Sequence, residues 1–228
     1  MENSEIFKKN YKAILLLRLF VPGENNQSKV SVRGTGFIVS EDGKFITNTH
    51  VYKEIPEGER QCLEAQIFAK EEKGIVYYRS LKIELLKMDE INDLVLMKLK
   101  DDTGAVFDTV AKIGDLEKVE EGNELLSLGY PLATEMLSMN FGVTLSLGHS
   151  IISSIKRRQD ASLDFFMIDA HVNNGSSGSP IFLKSTGEVI GVVSGRISQK
   201  TILPDNKLVD IPANLGICRP INYIKKLL

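Results

Sequence analysis

A serine hydroxyl attacks carbonyl carbon at neutral pH only when a base stands beside it and a third group fixes that base. One stretch of this 228-residue chain could present such a serine: Asn173-Asn174-Gly175-Ser176-Ser177-Gly178-Ser179-Pro180. Upstream, His50 lies in Ile46-Thr47-Asn48-Thr49-His50-Val51, and Asp93 opens Asp93-Leu94-Val95-Leu96-Met97-Lys98-Leu99. His50 could accept the Ser177 proton during attack and return it to the leaving group, while Asp93 holds the imidazole and stabilises its charged form. Each piece has a plainer reading when alone. A glycine-serine run is commonly a flexible loop, a histidine after a strand a packed residue, and an aspartate before an apolar strand a turn residue. Together, in β-rich surroundings, they point to acyl transfer.

Composition narrows the rest. A hydrophobic content of 43% over this length can bury a core as one domain or two small lobes. A formal charge of -2 gives no global attraction to nucleic acid or to an anionic membrane, so neither is expected as a partner. Lys156-Arg157-Arg158 stands alone without interleaved aromatics and reads as a solvated loop. The start, Met1-Glu2-Asn3-Ser4-Glu5, lacks the pattern of a secretory leader, and the apolar run 14–21 is broken by Arg18. Cys62 and Cys218 are too few for a disulfide framework or a structural zinc site. These features lead to the expectation of a cytoplasmic protein with no metal and no cofactor. His149 has no evident partner and reads as structural.

The residues that could react must be positioned by strands. Apolar or alternating segments occur at 13–21, 29–40, 45–48, 63–70, 75–87 and 94–99, then at 124–130, 142–155, 165–169, 180–183, 189–194 and 216–218. Hairpin turns are expected at Glu41-Asp42-Gly43-Lys44 and at Lys184-Ser185-Thr186-Gly187-Glu188. A short helix capped by Ser4 should run to Tyr11, and a second should follow Pro220. The pattern loosens between Lys100 and Gly122, through Asp101-Asp102-Thr103-Gly104 and the charged run 115–121. Six strands then fall on each side, as two six-stranded antiparallel barrels require. The expected division is a first lobe at 1–104 with His50 and Asp93, a linker at 105–121, and a second lobe at 122–228 with Ser177.

The chain resembles trypsin-like proteases of the HtrA type, without the PDZ domain of that type. The resemblance is carried by Gly34-Thr35-Gly36-Phe37-Ile38-Val39, Thr47-Asn48-Thr49-His50-Val51, Asn92-Asp93-Leu94-Val95-Leu96, Asp169-Ala170, the serine loop and Gly216-Ile217-Cys218-Arg219-Pro220-Ile221. It extends from about Tyr11 onward, and the order His, Asp, Ser is that of chymotrypsin. It implies an all-β, chymotrypsin-like pair of barrels with short N- and C-terminal helices. It also implies an oxyanion hole made by the N–H groups of Gly175 and Ser177. Two departures stand out. Thr49 replaces a usual alanine, and Ser176 replaces a usual Asn or Asp, so an ion pair with a newly cut N-terminal amine, as in pancreatic zymogens, is not available.

By the same resemblance, His171, Asn173, Asn174, Val193, Ser194, Gly195 and Arg196 should line the pocket for the residue before the cleaved bond. His171 could donate to an acidic or amide side chain there, or turn away. Val193 occupies the strand position where glutamyl endopeptidases usually carry histidine, which argues against a glutamate preference. Arg196 could draw acidic residues to the rim or simply be solvated. The expected function is a serine endopeptidase working through an acyl-enzyme on protein or peptide substrates. A silent peptide-binding scaffold and an esterase with the same triad remain alternatives. Segments 52–62, 133–140 and 199–214 are long and polar enough for a regulatory protein partner to act on.

Overall fold

The structure is a computed structural model describing residues 1–23, 28–101, 104, 106–116, 119–202 and 207–228. Twelve strands run in chain order among these residues. The first six are β1 (Ile14–Val21), β2 (Lys29–Ile38), β3 (Lys44–Thr47), β4 (Leu63–Glu72), β5 (Ile75–Asp89) and β6 (Leu94–Lys100). They close into an antiparallel barrel in the order β1-β2-β3-β6-β5-β4. The second six are β7 (Glu124–Gly129), β8 (Ser146–Arg157), β9 (Leu163–Ile168), β10 (Pro180–Leu183), β11 (Glu188–Ile202) and β12 (Leu208–Pro220). They close in the order β7-β8-β9-β12-β11-β10. The chymotrypsin-like pair of barrels expected from the sequence is present.

The apolar runs of β1 and β6 explain how the barrels meet. Along Ile14-Leu15-Leu16-Leu17, Leu15 and Leu17 point into the first barrel with Phe45, Val95 and Met97. Ile14 and Leu16 point the other way, into the cluster that contains Leu125, Leu128, Ile181 and Val192 of the second barrel. Leu94 and Leu96 do the same on β6. These strands are buried on both faces, so they cannot show the alternation of a half-exposed strand. They form the seam, and Asp93 immediately precedes one of them.

Among the described residues four α-helices complete the fold: α1 (Asn3–Asn10), α2 (Thr49–Lys53), α3 (Ala133–Ser138) and α4 (Ile221–Ile224). The start of α1 differs from the expected Ser4 cap. Glu2 is the cap, its N–H donating to the Glu5 carboxylate at 3.1 Å, and Ser4 lies inside the first turn. Helix α2 and helix α3 went unanticipated because a helix of five or six residues is too short to display a 3.6-residue period. No helix among the described residues is long and apolar enough to cross a membrane.

The other differences lie in the second barrel. β8 begins at Ser146 instead of residue 142, while β11 and β12 extend far beyond 189–194 and 216–218. Gln199 pairs with Ile211 and Lys200 with Asp210, so most of the expected regulatory segment 199–214 is a β-ribbon. Its side chains are largely exposed, which removes the apolar pattern that would have marked it. Residues 203–206 of that segment, 102, 103 and 105 of the loosened stretch, and 117 and 118 of the charged run lie outside the described residues.

Phe45 is wholly buried at the centre of the first barrel. Phe45→Ala should destabilise the protein by about 3–5 kcal/mol through lost burial and the cavity it leaves. Urea denaturation checks this; a loss below about 1 kcal/mol would contradict the packing described.

Candidate active site

His50 enters the cleft from the first turn of α2, whose position is set by the loop that bears Asp93. The Thr49 N–H and the Asn48 side chain both donate to the Asp93 carbonyl, at 3.3 and 2.9 Å. The Thr49 hydroxyl lies 2.9 Å from the Leu94 carbonyl and 3.3 Å from that of Asp89. An alanine could make neither contact, so the unusual residue at position 49 staples the histidine helix to the aspartate loop. Asp93 itself has φ +55°, a left-handed conformation that Asp tolerates better than most residues.

The Asp93 carboxylate faces His50 squarely. Nδ1 of the imidazole lies 2.8 Å from Oδ2 and 3.0 Å from Oδ1, and the His50 backbone N–H donates to Oδ1 at 3.0 Å. Such a partner fixes the tautomer with a proton on Nδ1 and leaves Nε2 free as a base. Ser194, expected on a pocket wall, donates its hydroxyl to Asp93 Oδ2 at 2.5 Å. Burial alone would push the Asp93 carboxyl up, but the bonds from His50 and Ser194, with the charge on His50, outweigh it and hold the pKa below its ordinary value.

The serine loop follows β9 and runs into β10, and each of its turns is tied down. Gly178 has φ +86° and its N–H donates to the Val193 carbonyl at 2.9 Å. A Cβ there would stand 1.9 Å from the Thr35 carbonyl oxygen, so only glycine fits. The Ser177 carbonyl accepts from the Thr35 N–H at 2.7 Å, and the Gly175 carbonyl accepts from the Thr35 hydroxyl at 2.7 Å. That hydroxyl oxygen also accepts the Tyr130 N–H at 3.1 Å. The Ser176 N–H goes to the Asn173 carbonyl, and the Ser176 hydroxyl accepts from the Asn173 N–H.

Three N–H groups of the loop remain, one of them on the exposed Asn174 and the other two on Gly175 and Ser177. The Asn174 carbonyl accepts from the Leu132 N–H at 2.7 Å, and in a trans peptide the adjoining Gly175 N–H points the opposite way. Among the described residues neither that N–H nor the Ser177 N–H has an acceptor. Two unpaired N–H groups in one tight loop, on residues that line a cleft, make a ready receptor for a developing negative oxygen. Ser177, Gly175 and His50 line one cleft of about 460 Å³, together with Arg33, Glu54, Thr134 and Glu135.

Of the remaining candidates, Asn174 lines that same cleft and the others lie outside it. Asn174, exposed, has its amide 3.4 Å from Glu135 Oε1, and Asn173 is half-buried beside Ser176. His171 is exposed at the edge of a second cleft of about 160 Å³, which Val172, Ser176 and the buried Val193 also line. The Arg196 guanidinium reaches across to donate to the Val172 carbonyl at 3.2 Å. Gly195 faces open space. His149 pairs with Glu124 at 3.1 Å, while Arg157 and Arg158 hold the β8–β9 turn through the Ala161 carbonyl and Asp164. Thr35 was missed in the sequence. The signal available was a polar residue flanked by glycines in Gly34-Thr35-Gly36, directly before the apolar Phe37-Ile38-Val39.

Comparison with known proteins bears on this site. Residues 34–192 match the family described as the trypsin-like peptidase domain. The magnetosome formation protease MamE of Magnetospirillum gryphiswaldense is 30% identical over 163 residues, covering 70% of this chain and 18% of its own. A probable periplasmic serine endoprotease, DegP-like, of Halomonas elongata is 33% identical over 163 residues, covering 71% and 29%. Serine protease HTR4 of Rattus norvegicus is 30% identical over 173 residues, covering 73% and 30%. The chain thus spans less than a third of the length of these curated relatives.

The expectation of a cytoplasmic protein is corrected by these relatives, since the Halomonas protein is named periplasmic. The physical reason lies in the cysteines. Cys62 and Cys218 are free thiols, and burial pushes the Cys218 thiol up, out of the reactive range. Barrels closed by strand pairing and apolar packing need no disulfide, so scarce cysteine does not mark a reducing compartment.

The lowered Asp93 pKa has a consequence for stability. The ionised carboxylate stabilises the fold above the ordinary carboxylate range, and that contribution is lost as pH falls through the lowered value. The Tm gap between the protein and Asp93→Asn should therefore be wider at pH 7 than at pH 3. Parallel melting curves at the two pH values would contradict the pairing.

Proposed function

The chain belongs to the trypsin-like peptidase domain family, and we propose that it is a serine endopeptidase whose His50, Asp93 and Ser177 work as a catalytic triad through an acyl-enzyme. The observation that carries this reading is the pair of unpaired N–H groups, of Gly175 and Ser177, on a loop facing the same cleft as His50. His50 Nε2 removes the Ser177 proton as the hydroxyl oxygen attacks the scissile carbonyl. The carbonyl oxygen takes up negative charge against the two N–H groups, each such donor contributing about 3 kcal/mol to the transition state. Collapse of the tetrahedral species breaks the C–N bond, and His50 returns the proton to the departing amine. Water then attacks the acyl-enzyme by the same proton route and frees Ser177.

Asp93 acts through His50. Its two-point contact with Nδ1 and the backbone N–H holds the ring, and Ser194 holds the carboxylate. Among the described residues the Ser177 hydroxyl has no hydrogen bond at rest, and catalytic contacts commonly tighten only when substrate fills the cleft. Proteins or peptides are the substrates this family acts on. We read 1–104 and 122–228 as the two catalytic lobes joined by 105–121, with α1 reaching over to the β10–β11 turn through the Met1 amine and the Lys184 carbonyl.

A fluorophosphonate probe should label the protein at Ser177 and fail to label Ser177→Ala, and hydrolysis of a casein-derived peptide mixture should disappear in the same variant. Labelling without any peptide hydrolysis would favour the esterase alternative. Absence of both would favour the silent binding module.

A further inference from the structure

The helix that supplies Thr134 and Glu135 to the cleft beside Ser177 also carries exposed apolar residues. Met136 and Leu137 are each 42% exposed, Met139 is 64% exposed and Phe141 is 60% exposed. Single exposed apolar residues are ordinary, but four within six positions of one short helix and its closing turn concentrate apolar surface in the way that marks an interaction site. These residues belong to α3 and the turn that ends it, directly after Thr134 and Glu135, which form one wall of the cleft that holds His50 and Ser177.

The segment is anchored on both sides of the site. The Val32 N–H of β2 donates to the Thr134 hydroxyl at 3.2 Å, and the Leu132 N–H donates to the Asn174 carbonyl of the serine loop. At its far end the Phe141 N–H returns to the Met136 carbonyl at 2.9 Å, and the Asn140 N–H to that of Leu137 at 3.1 Å. The apolar side chains therefore stand on a closed turn tied to the catalytic loop, in a fixed place relative to Ser177.

We propose that α3 and this turn form a docking ledge for the part of a polypeptide substrate that follows the cleaved bond, and that the ledge selects bulky apolar side chains there. The inference rests on the endopeptidase reading. Direction comes from the chemistry: His50 delivers its proton to the departing amine, so the leaving chain lies on the imidazole side of Ser177. The cleft on that side is bounded by His50, Arg33 and Glu54 across from Thr134 and Glu135, while Ser194 to Arg196 lie outside it. A chain leaving through it passes Glu135 and meets Met136, Met139 and Phe141. Two of these are methionines, whose flexible and polarisable side chains fit apolar partners of varied shape.

The test uses substrates with one common acyl half. One is a chromogenic anilide with no peptide beyond the bond; the others are peptides carrying Leu and Phe, or Ser and Asp, at the second to fourth positions beyond it. Apolar peptides should have a kcat/KM about tenfold above polar ones, the worth of burying about one large apolar side chain. The triple variant Met136→Ser, Met139→Ser, Phe141→Ser should erase that difference by raising KM, with anilide hydrolysis unchanged. Because all three side chains are exposed, the variant should keep its circular dichroism and Tm. Equal cleavage of the two peptide classes, or a preference that survives in the variant, would overturn the ledge while leaving the peptidase reading intact. Failure to cleave the anilide and every peptide would overturn both.

Discussion

Thr35 lies wholly buried between the barrels, and its four polar contacts connect what would otherwise be two independent halves of a site. Its N–H holds the Ser177 carbonyl and its hydroxyl holds the Gly175 carbonyl, while that same hydroxyl accepts from Tyr130. Its own carbonyl accepts from the Thr47 hydroxyl at 2.7 Å, on the strand that leads into the His50 helix. One residue of the first barrel thus fixes the serine loop of the second and abuts the segment that carries the base. A buried hydrogen bond has a modest net value, but leaving one partner unpaired costs about 1–3 kcal/mol, so this network strongly favours a single arrangement.

The seam strands make that arrangement possible. β1 and β6 carry apolar residues on both faces, one set filling the first barrel and the other pressed against the second. The loop in front of β6 must then lie at the edge of the seam, and Asp93 sits there. Thr49 completes the link by bonding the Leu94 carbonyl, so the positions of Asp93 and His50 are set by packing. The serine loop gets its shape from glycines that backbone oxygens approach too closely for any side chain, and from Thr35 on the far side of the seam.

The residues proposed to do chemistry stand out in the sequence because their types are unusual for their settings. Gly175, Ser177, Gly178 and Pro180 do not resemble a strand, His50 follows the polar run Thr47-Asn48-Thr49, and Asp93 stands directly before an apolar run. The two-barrel fold was legible from the count and spacing of apolar segments. What escaped were residues whose types are ordinary and whose roles come from tertiary placement. Thr35 looks like any β-branched residue in a strand, and the Ser194 hydroxyl could not be assigned to Asp93, 101 positions away. The β11–β12 ribbon left no apolar period because it has little to bury, and α3 is too short to declare itself. Location was illegible for a different reason: a fold that needs no disulfide carries no record of its redox environment.

The claim on which this account depends is that the Thr35 hydroxyl holds the Gly175–Ser177 loop in the form that the proposed mechanism needs. Thr35→Val keeps the shape and the backbone bond to Ser177 but removes the hydroxyl that joins Gly175 to Tyr130. The most direct measurement is the second-order rate of Ser177 phosphonylation by a fluorophosphonate in the folded protein and in the folded variant. The account requires a fall of at least about tenfold, the equivalent of about 1.4 kcal/mol of transition-state stabilisation. An unchanged rate would contradict it.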